Sequence, residues 1–476
     1  MTPNPTGYRP RPGSIPTLSI PDAGEWRRVH FVGIGGAGMS GLASLLLARG
    51  IAVSGSDLKW SRGMAGLQAG GATVFVGHRA EQVGDKDAVI VSSAIPVSNP
   101  EVAAAREAGV PVLMRAQLLA ALMRGSRGVA VAGTHGKTTT TSMISVILSR
   151  AGLTPTFVIG GDLNESGSGS RHGTGDVFVA EADESDGSFL LLEPDVAVIT
   201  NVEEDHLDFY RDAQEIESAF ARFASAAAHV VACWDDPGVR RSMAGATTPL
   251  LRYGFGDGCE LALRDMALGR GRASALLQVG AESVRIELSV PGRHNLLNAA
   301  AAVGATGLVG VSLQAASEAL RSFTGVRRRF EHRGTAGGAD FVDDYAHHPT
   351  EVAATIEAAR VEGLRVFAVF QPHRYTRTQA MWRALGLSLR GADLVVVTDV
   401  YGAGEEPIPG VTGKLVVESL TEAAPGKRVV YLPHRADIAA FLAREVRPGD
   451  LVLTLGAGDI TTVGDETLDR LREMAP

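Results

Sequence analysis

The chain has 476 residues, of which 45% are hydrophobic and 21% charged, and its formal net charge is -8. This is a globular composition, and the length predicts about three domains, each with its own core. The negative charge excludes a general attraction to nucleic acid or to an anionic membrane. The sequence has two cysteines and no apolar run near the roughly 18 residues of a membrane span. We therefore expect a soluble, cytoplasmic protein without nucleic-acid binding or membrane insertion.

The domain organisation follows from proline content and from the alternation of strands and helices. Six prolines predict that residues 1–26 form a mobile tail. After it, short Val- and Ile-rich runs alternate with helical stretches, as in parallel sheets, and this pattern restarts twice. Alternating segments in residues 245–292 predict antiparallel hairpins added to the middle domain. The predicted domains are residues 27–126, 127–326 and 327–476.

A first glycine loop follows the predicted strand at residues 29–32. Its sequence, Gly33-Ile34-Gly35-Gly36-Ala37-Gly38, fits G-x-G-x-x-G and precedes a helical stretch. Such glycines let backbone amides approach a diphosphate. Asp57 ends the next strand about 20 residues later, where related folds hold a ribose hydroxyl. The alternative is a tight turn that binds nothing, and the loop alone does not select NAD over other nucleotide diphosphates.

A second glycine loop follows the strand at residues 129–132. Its sequence is Gly133-Thr134-His135-Gly136-Lys137-Thr138-Thr139. It predicts a phosphate loop in which backbone amides hold phosphates, the Lys137 ammonium reaches the β and γ oxygens, and the Thr138 hydroxyl binds Mg²⁺. Val131 stands where the full pattern has its first glycine. The alternative is that Lys137 is a solvated surface charge.

Two acidic clusters follow later strands and offer carboxylates for the metal. One runs from Glu181 to Asp186 and the other from Glu203 to Asp208, with His206 inside it. Most of these acids are expected to be solvated or to cap helices, as Asp205 and Asp208 would. We predict that Glu181 is a metal ligand, because it is the first acidic residue after its strand. Spacing alone favours a capping or core role for His206, since Mg²⁺ prefers oxygen.

These motifs together resemble the Mur ligases of peptidoglycan synthesis. The resemblance rests on the second loop and on residues 181–184, 201–208 and 292–300, and it covers nearly the whole chain after the tail. Residues 35–40, 92–95, 343–349 and 371–377 look most like the family member that adds L-alanine. The resemblance implies an α/β fold of three domains. These are an N-terminal Rossmann-like parallel sheet for a UDP-sugar, a central P-loop ATPase domain with an added antiparallel sheet, and a C-terminal Rossmann-like domain for the amino acid.

The resemblance also implies residue roles. It puts the UDP-sugar on Gly35, Gly36, Gly38, Met39, Ser40, Asp57, Ser92 and Ser93. It puts ATP on Gly133, Thr134, Gly136, Lys137, Thr138 and Thr139, with Asn295 and Asn298 facing adenine, Arg329 reaching the phosphates and Asp344 the ribose. Mg²⁺ would be held by Thr138, Glu181 and His206. Phe220 stands about where three sister ligases carry a carbamylated lysine, so we predict no carbamate.

The implied reaction joins the lactyl carboxylate of UDP-N-acetylmuramate to the amine of L-alanine, through an acyl phosphate and a tetrahedral intermediate, as ATP becomes ADP and phosphate. The implied catalytic residues are Lys137, Glu181, His206, His347 and Arg374. The amino acid would meet Tyr345, His347, His373, Arg374 and Arg377. Arg374 or Arg377 would donate two parallel hydrogen bonds to its carboxylate, and His347 would orient or deprotonate its ammonium group. The alternative for His347 and His348 is packing or capping of the helix that begins at Pro349.

Three other functions remain open. A recycling ligase would attach a tripeptide to the same UDP-sugar. A nicotinamide-dependent oxidoreductase would use the first glycine loop and keep the second for a regulatory nucleotide. A nucleotide-switched binding protein is disfavoured by the Glu181 and His206 clusters, because a switch needs no third domain bearing Arg374 and Arg377.

Overall fold

A computed structural model describes residues 22–164, 168–207, 209–360 and 363–474. The chain forms two compact units. The first comprises residues 1–264, 276–286 and 297–322, and the second comprises residues 265–275, 287–296 and 323–476. Most of the predicted tail, like Asp208, lies outside the described residues. Packed structure begins slightly before residue 27, because Ala23 is buried and Trp26 packs against the core of the first unit.

The first unit opens with a five-stranded parallel sheet in the order β3-β2-β1-β4-β5. Its strands are β1 Arg28–Val32, β2 Ala52–Asp57, β3 Thr73–Val76, β4 Ala88–Val91 and β5 Val112–Met114. Its helices are α1 Ala37–Ala48, α2 Arg62–Ala69, α3 Pro100–Glu107 and α4 Arg115–Met123. The strand order reverses between β1 and β4, and ligands bind at the carboxyl ends of strands at such a switch point. The first glycine loop lies there.

The second sheet has ten strands in the order β15-β14-β13-β12-β11-β10-β6-β9-β7-β8. Its strands are β6 Arg127–Ala132, β7 Thr156–Val158, β8 Ser170–Arg171, β9 Val177–Glu181, β10 Val196–Ile199, β11 His229–Cys233, β12 Leu250–Gly254, β13 Leu261–Gly269, β14 Arg272–Val279 and β15 Glu282–Leu288. The helices of this region are α5 Lys137–Arg150, α6 Ala213–Ser225, α7 Pro237–Ser242, α8 Arg293–Leu308 and α9 Leu313–Leu320. Two-residue links join β13 to β14 and β14 to β15, which only antiparallel neighbours allow.

The third sheet belongs to the second unit and has the order β16-β17-β21-β18-β19-β20. Its strands are β16 Glu331–Ala336, β17 Ala339–Asp344, β18 Arg365–Phe370, β19 Leu394–Val397, β20 Arg428–Tyr431 and β21 Asp450–Leu455. Its helices are α10 Pro349–Ala359, α11 Tyr375–Ser388, α12 Gly413–Ala423, α13 Ile438–Glu445 and α14 Thr461–Met474. Only β16 pairs antiparallel among the described pairings of this sheet. Separate apolar cores cover its two faces, with Phe370 in one and Phe367 in the other.

The predicted fold class is confirmed: three α/β domains, with a parallel first sheet and mixed second and third sheets. Alternating Val- and Ile-rich strands encode this fold because strands buried on both faces are apolar throughout. Within the described ranges, no helix is both long and apolar enough to cross a bilayer.

Phe220 tests the core of the central domain. Its side chain is fully buried on α6, with its ring centroid 5.3 Å from that of Phe189. We expect Phe220→Ala to lower the free energy of unfolding by about 3–5 kcal/mol. The unfolding midpoint measured by calorimetry should fall by roughly 6–20 °C. The control is Leu308→Ala, whose side chain is 38% exposed and whose loss should shift the midpoint far less. Equal shifts in the two variants would contradict this packing.

Candidate active site

The second glycine loop joins β6 to α5 and has the backbone of a phosphate loop. Gly133 has φ 141° and Gly136 has φ 80°, a region that side chains with a Cβ rarely adopt. A Cβ on Gly136 would also lie 2.6 Å from Asn298 Oδ1. Both glycines are therefore required by the shape of the loop.

The segment after β10 holds this loop in place. The His135 amide donates to Asn201 Oδ1 at 2.7 Å, and Asn201 Nδ2 donates to the His135 carbonyl at 3.1 Å. The Glu203 amide donates to Thr134 Oγ1 at 2.9 Å. These bonds within the chain fix the loop conformation, so the loop is preorganised for phosphate.

Lys137 is largely buried, with 15% of its side chain exposed, and it is paired. Its Nζ donates to Glu184 Oε1 at 2.8 Å and to the Gly133 carbonyl at 2.6 Å, and the Glu184 side chain is only 3% exposed. Burial lowers the pKa of Lys137, but the charges of Glu184, Asp183 and Glu181 outweigh it and raise that pKa overall. The lysine is thus an ammonium group directed into the loop. The alternative of a solvated surface charge is wrong.

Oxygen ligands suited to Mg²⁺ lie beside the loop. Thr138 Oγ1 donates to Glu181 Oε1 at 3.1 Å, and Glu181 Oε2 accepts a hydrogen bond from the Gly160 amide at 2.8 Å. Glu184 Oε2 is buried and has no hydrogen-bond partner in the part of the chain that the structure describes. A buried carboxylate oxygen of this kind is satisfied by a cation, and a hydroxyl with two carboxylates is a donor set that fits Mg²⁺.

His206 reaches this cluster through Glu184. Its Nε2 lies 3.8 Å from Glu184 Oε1 and 3.7 Å from Asp205 Oδ2. Asp205 is buried and accepts a hydrogen bond from the His206 amide at 2.8 Å, so it is not a solvated charge. The structure thus brings Lys137, Glu184 and His206 together, and it brings Thr138 to Glu181.

Hydrogen bonds to residues at and after the end of β2 hold the first glycine loop in place. The Gly35 amide donates to Asp57 Oδ2 at 2.9 Å, and Ser61 Oγ donates to the Gly35 carbonyl at 3.3 Å. A Cβ on Gly35 would lie 2.9 Å from Asp57 Oδ2, which explains the glycine. Asp57 therefore shapes the loop, whatever it binds.

The other residues assigned to the UDP-sugar differ in their burial and in their position around this loop. Ser92 is half-buried and Ser93 is exposed, both just after β4. Met39 is 3% exposed within the apolar core, so the structure gives its side chain a packing role. Gly36 precedes α1 as its N-cap, and Gly38 and Ser40 lie in the first turn of that helix.

The two asparagines assigned to adenine have different surroundings. Asn298 is buried and lies against Gly136 of the phosphate loop. Asn295 is also buried, and its Nδ2 donates to the Pro291 carbonyl at 2.7 Å. Asn295 thus helps to fix the turn before α8, and its adenine contact stays a prediction.

In the second unit, the Asp344 side chain holds two backbone segments through hydrogen bonds. Its two carboxylate oxygens accept hydrogen bonds from the Phe330 and Ala346 amides, both at 2.8 Å, and burial raises its pKa to about 6. Arg329 lies 5.2 Å from the Tyr345 ring centroid and donates to Glu351 at 3.4 Å. Their ribose and phosphate contacts stay predictions.

A row of four rings lies at the carboxyl ends of β17, β18 and β19. Tyr345 contacts His347 edge to face at 5.3 Å, His347 contacts His373 at 5.6 Å, and His373 stacks on Tyr401 at 5.8 Å between centroids. Arg377 Nη1 lies 3.4 Å from His373 Nδ1. The row therefore combines flat ring faces with guanidinium groups, because Arg377 lies beside His373 while Arg328 and Arg329 lie over the Tyr345 ring.

The sequence predicts that His347 orients or deprotonates the ammonium group, and the lowered pKa of its ring argues against the second role. Burial lowers its pKa to about 3, and burial together with nearby arginines lowers the pKa of His373 to about 4. His347 Nδ1 donates to the Tyr345 carbonyl at 2.9 Å, which leaves Nε2 as a neutral acceptor. Helix capping is a property of His348, whose ring accepts a hydrogen bond from the Thr350 amide.

The two arginines assigned to the acceptor diverge. Helix α11 begins at Tyr375, so Arg377 lies in its first turn, whereas Arg374 precedes the helix with φ 69°. Arg374 Nε donates to Glu405 Oε1 at 2.6 Å, whereas Arg377 lies beside His373. Glu405 and Tyr401 come from the loop after β19, some 30 residues later in the chain, and sequence analysis missed both.

The fold and this site define a class, a phosphate-loop enzyme with carboxylates for a metal. Family comparisons make the class specific. Sequence models match residues 28–127 (Mur ligase family, catalytic domain), 131–306 (Mur ligase middle domain) and 328–458 (Mur ligase, glutamate ligase domain). The chain belongs to the Mur ligase family.

Individual sequence relatives and a solved structure support the same family assignment. The chain is 48% identical to the UDP-N-acetylmuramate–L-alanine ligase of Pelotomaculum thermopropionicum, over 94% of this chain and 98% of the relative. It is 49% identical to the ligase of the same name from Rubrobacter xylanophilus, over 93% and 100%. The crystal structure of the UDP-N-acetylmuramate–alanine ligase of Thermotoga maritima superposes with a TM-score of 0.80 at 30% identity, covering 95% of this chain and all of that one.

Buried neutral histidines should make the second unit sensitive to acid. The pKa values of His294 and His373 fall to about 4 and that of His347 to about 3, from an ordinary 6.5. Below pH 6.5 the unfolded chain binds protons that the folded chain does not, so stability falls as pH drops toward 4. Asp344 acts oppositely, because its raised pKa stabilises the protonated fold below about pH 6.

Unfolding midpoints measured by calorimetry between pH 7.5 and 4.5 test this balance. We expect His347→Gln to flatten the acid loss and Asp344→Asn to steepen it. His434→Gln, at an exposed histidine of the same unit, is the control and should leave the slope unchanged. Slopes that do not differ among the variants would contradict the assigned protonation states.

Proposed function

We propose that the protein ligates L-alanine to the lactyl carboxylate of UDP-N-acetylmuramate, with ATP converted to ADP and phosphate. The observation that carries the proposal is the buried Lys137–Glu184 pair beside the Thr138–Glu181 contact, in a chain 48% identical to a ligase of that name. A carboxylate is a poor acyl donor, so phosphorylation must precede attack by the amine. The proposed intermediates are an acyl phosphate and then a tetrahedral adduct.

The central domain supplies the phosphoryl-transfer chemistry. Lys137 is already an ammonium group held at the loop, so it neutralises charge on the transferred oxygens without rearrangement. Thr138, Glu181 and His206 would hold Mg²⁺, which would polarise the γ-phosphoryl group when bound. Glu184 orients Lys137 and supplies a further carboxylate oxygen to the same region.

The second unit supplies the acceptor site. A small amino acid buries little surface, so its affinity must come from charged hydrogen bonds to its carboxylate. Arg377 is the better candidate, because it lies by the ring row, while Arg374 is paired with Glu405. His347 Nε2 accepts a hydrogen bond from the incoming ammonium group, which it orients as a neutral ring. The proton leaves to water or phosphate, because an imidazole with a pKa of about 3 is a weak base.

One assay tests the function. Purified protein with ATP, Mg²⁺ and UDP-N-acetylmuramate is offered L-alanine, glycine, L-serine or the tripeptide, and ADP release is measured. We expect release that requires both donor and L-alanine. Release with the tripeptide but not with L-alanine would assign a recycling ligase. In a parallel reaction supplied with NADH, oxidation of NADH without ADP release would assign an oxidoreductase. Lys137→Ala should abolish ADP release while calorimetry still detects UDP-sugar binding.

Magnesium dependence tests the metal ligands. We expect Glu181→Gln and His206→Ala to raise the Mg²⁺ concentration for half-maximal rate by about tenfold or more, because each removes a donor from the ion. Glu204→Gln is the matched control, since Glu204 is exposed on the same loop as His206. Equal Mg²⁺ curves for all three variants and the wild type would remove Glu181 and His206 from the metal site.

Arginine substitutions test the acceptor site. Arg377→Lys should raise the KM for L-alanine by roughly 10- to 100-fold, from ~1.5–3 kcal/mol of lost charged hydrogen bonding, with little change in the KM for ATP. Arg383→Lys on the same helix is exposed and serves as the control. If Arg377→Lys mainly weakens ATP, the arginine belongs to the nucleotide site instead.

A further inference from the structure

Arg115 links the two glycine loops of the first unit. It is the first residue of α4, and a Cβ built on Gly38 would lie 2.7 Å from its Nη1. Its Nη2 donates to Asp183 Oδ2 at 3.3 Å. Asp183 belongs to the carboxylate cluster around Lys137, so the guanidinium joins the first loop to the phosphate-loop site.

Stability does not explain this position. The Arg115 and Asp183 side chains are 29% and 41% exposed, and ion pairs of that exposure add little to stability. A cation beside the first turn of a helix is also opposed by the helix dipole. The first turn of α1 carries no acidic residue that would offset it. The arrangement becomes favourable once an anion lies between the loop and the guanidinium.

The guanidinium has donors left for such an anion. Asp183 is its one hydrogen-bond acceptor among the residues that the structure describes, so Nε and the Nη1 beside Gly38 are not engaged by them. A guanidinium presents its N–H groups in a planar fork that matches phosphate oxygens.

We propose that Arg115 binds the diphosphate of the UDP-sugar at the first glycine loop, and that Asp183 is the positioning residue that holds its guanidinium there. The inference rests on the proposed donor site and assigns it a residue outside the glycine motif. The ligand class is a nucleoside diphosphate or its sugar ester. One side chain then contacts the donor and also the cluster that contains Lys137.

Calorimetric titration without activity measurements tests this role. Wild-type protein and variants are titrated separately with UDP-N-acetylmuramate, UDP and ATP. We expect Arg115→Gln to raise the Kd of UDP and of the UDP-sugar by roughly 10- to 100-fold, with Arg115→Lys recovering part of the affinity. The Kd of ATP should change less than about twofold. Asp183→Asn, which keeps an acceptor oxygen but loses the charge, should weaken the two UDP ligands by a smaller factor.

The matched control is Arg124→Gln, at the C-cap residue that follows the same helix, and this variant should bind all three ligands as the wild type does. Unfolding midpoints confirm that each variant is folded, since an exposed pair changes them little. Unchanged UDP binding in folded Arg115→Gln overturns the inference and leaves the proposed function standing. Equal weakening of UDP and ATP also overturns it, because a general structural role would do that. Wild-type protein that binds ATP but neither UDP ligand overturns the proposed donor as well.

Discussion

The register of three parallel strands is the constraint on which the candidate active site depends. In the central sheet β6 lies between β9 and β10, with Val131 opposite Glu181 and Ala132 opposite Ile199. The carboxyl ends of these strands therefore meet at one edge, where the phosphate loop leaves β6. A shift of one residue would turn Glu181 to the other face of the sheet and remove it from Thr138.

The Lys137–Glu184 ion pair follows from that register and defines the chemistry. A buried ammonium or carboxylate is tolerated only when paired, and removing one partner of such a pair costs about 3–5 kcal/mol. Here the pair keeps the lysine charged inside the loop that would bind ATP. In the second unit, burial keeps histidine side chains neutral. Its imidazoles stay neutral, so it supplies acceptors and flat walls, with arginine as the source of positive charge.

The features visible in the sequence are those encoded by neighbouring residues. Gly133 and Gly136, the Val-rich strands before them and the helix after them are contiguous, so the fold class and the phosphate loop were predictable. Glu184 was missed because its contact with Lys137 depends on how the chain turns back after β9. Pairing of Arg374 with Glu405 depends on a loop 31 residues away. The pKa of His347 depends on burial, which periodicity does not report.

Isotope transfer shows whether this site phosphorylates the lactyl carboxylate of the donor. UDP-N-acetylmuramate labelled with ¹⁸O in its lactyl carboxylate is turned over with ATP, Mg²⁺ and L-alanine, and the released phosphate is analysed by mass spectrometry. We expect one ¹⁸O atom in each phosphate, because the acyl phosphate loses its bridging oxygen to phosphate when the amine attacks. Phosphate without ¹⁸O, or label found in AMP, would contradict this expectation.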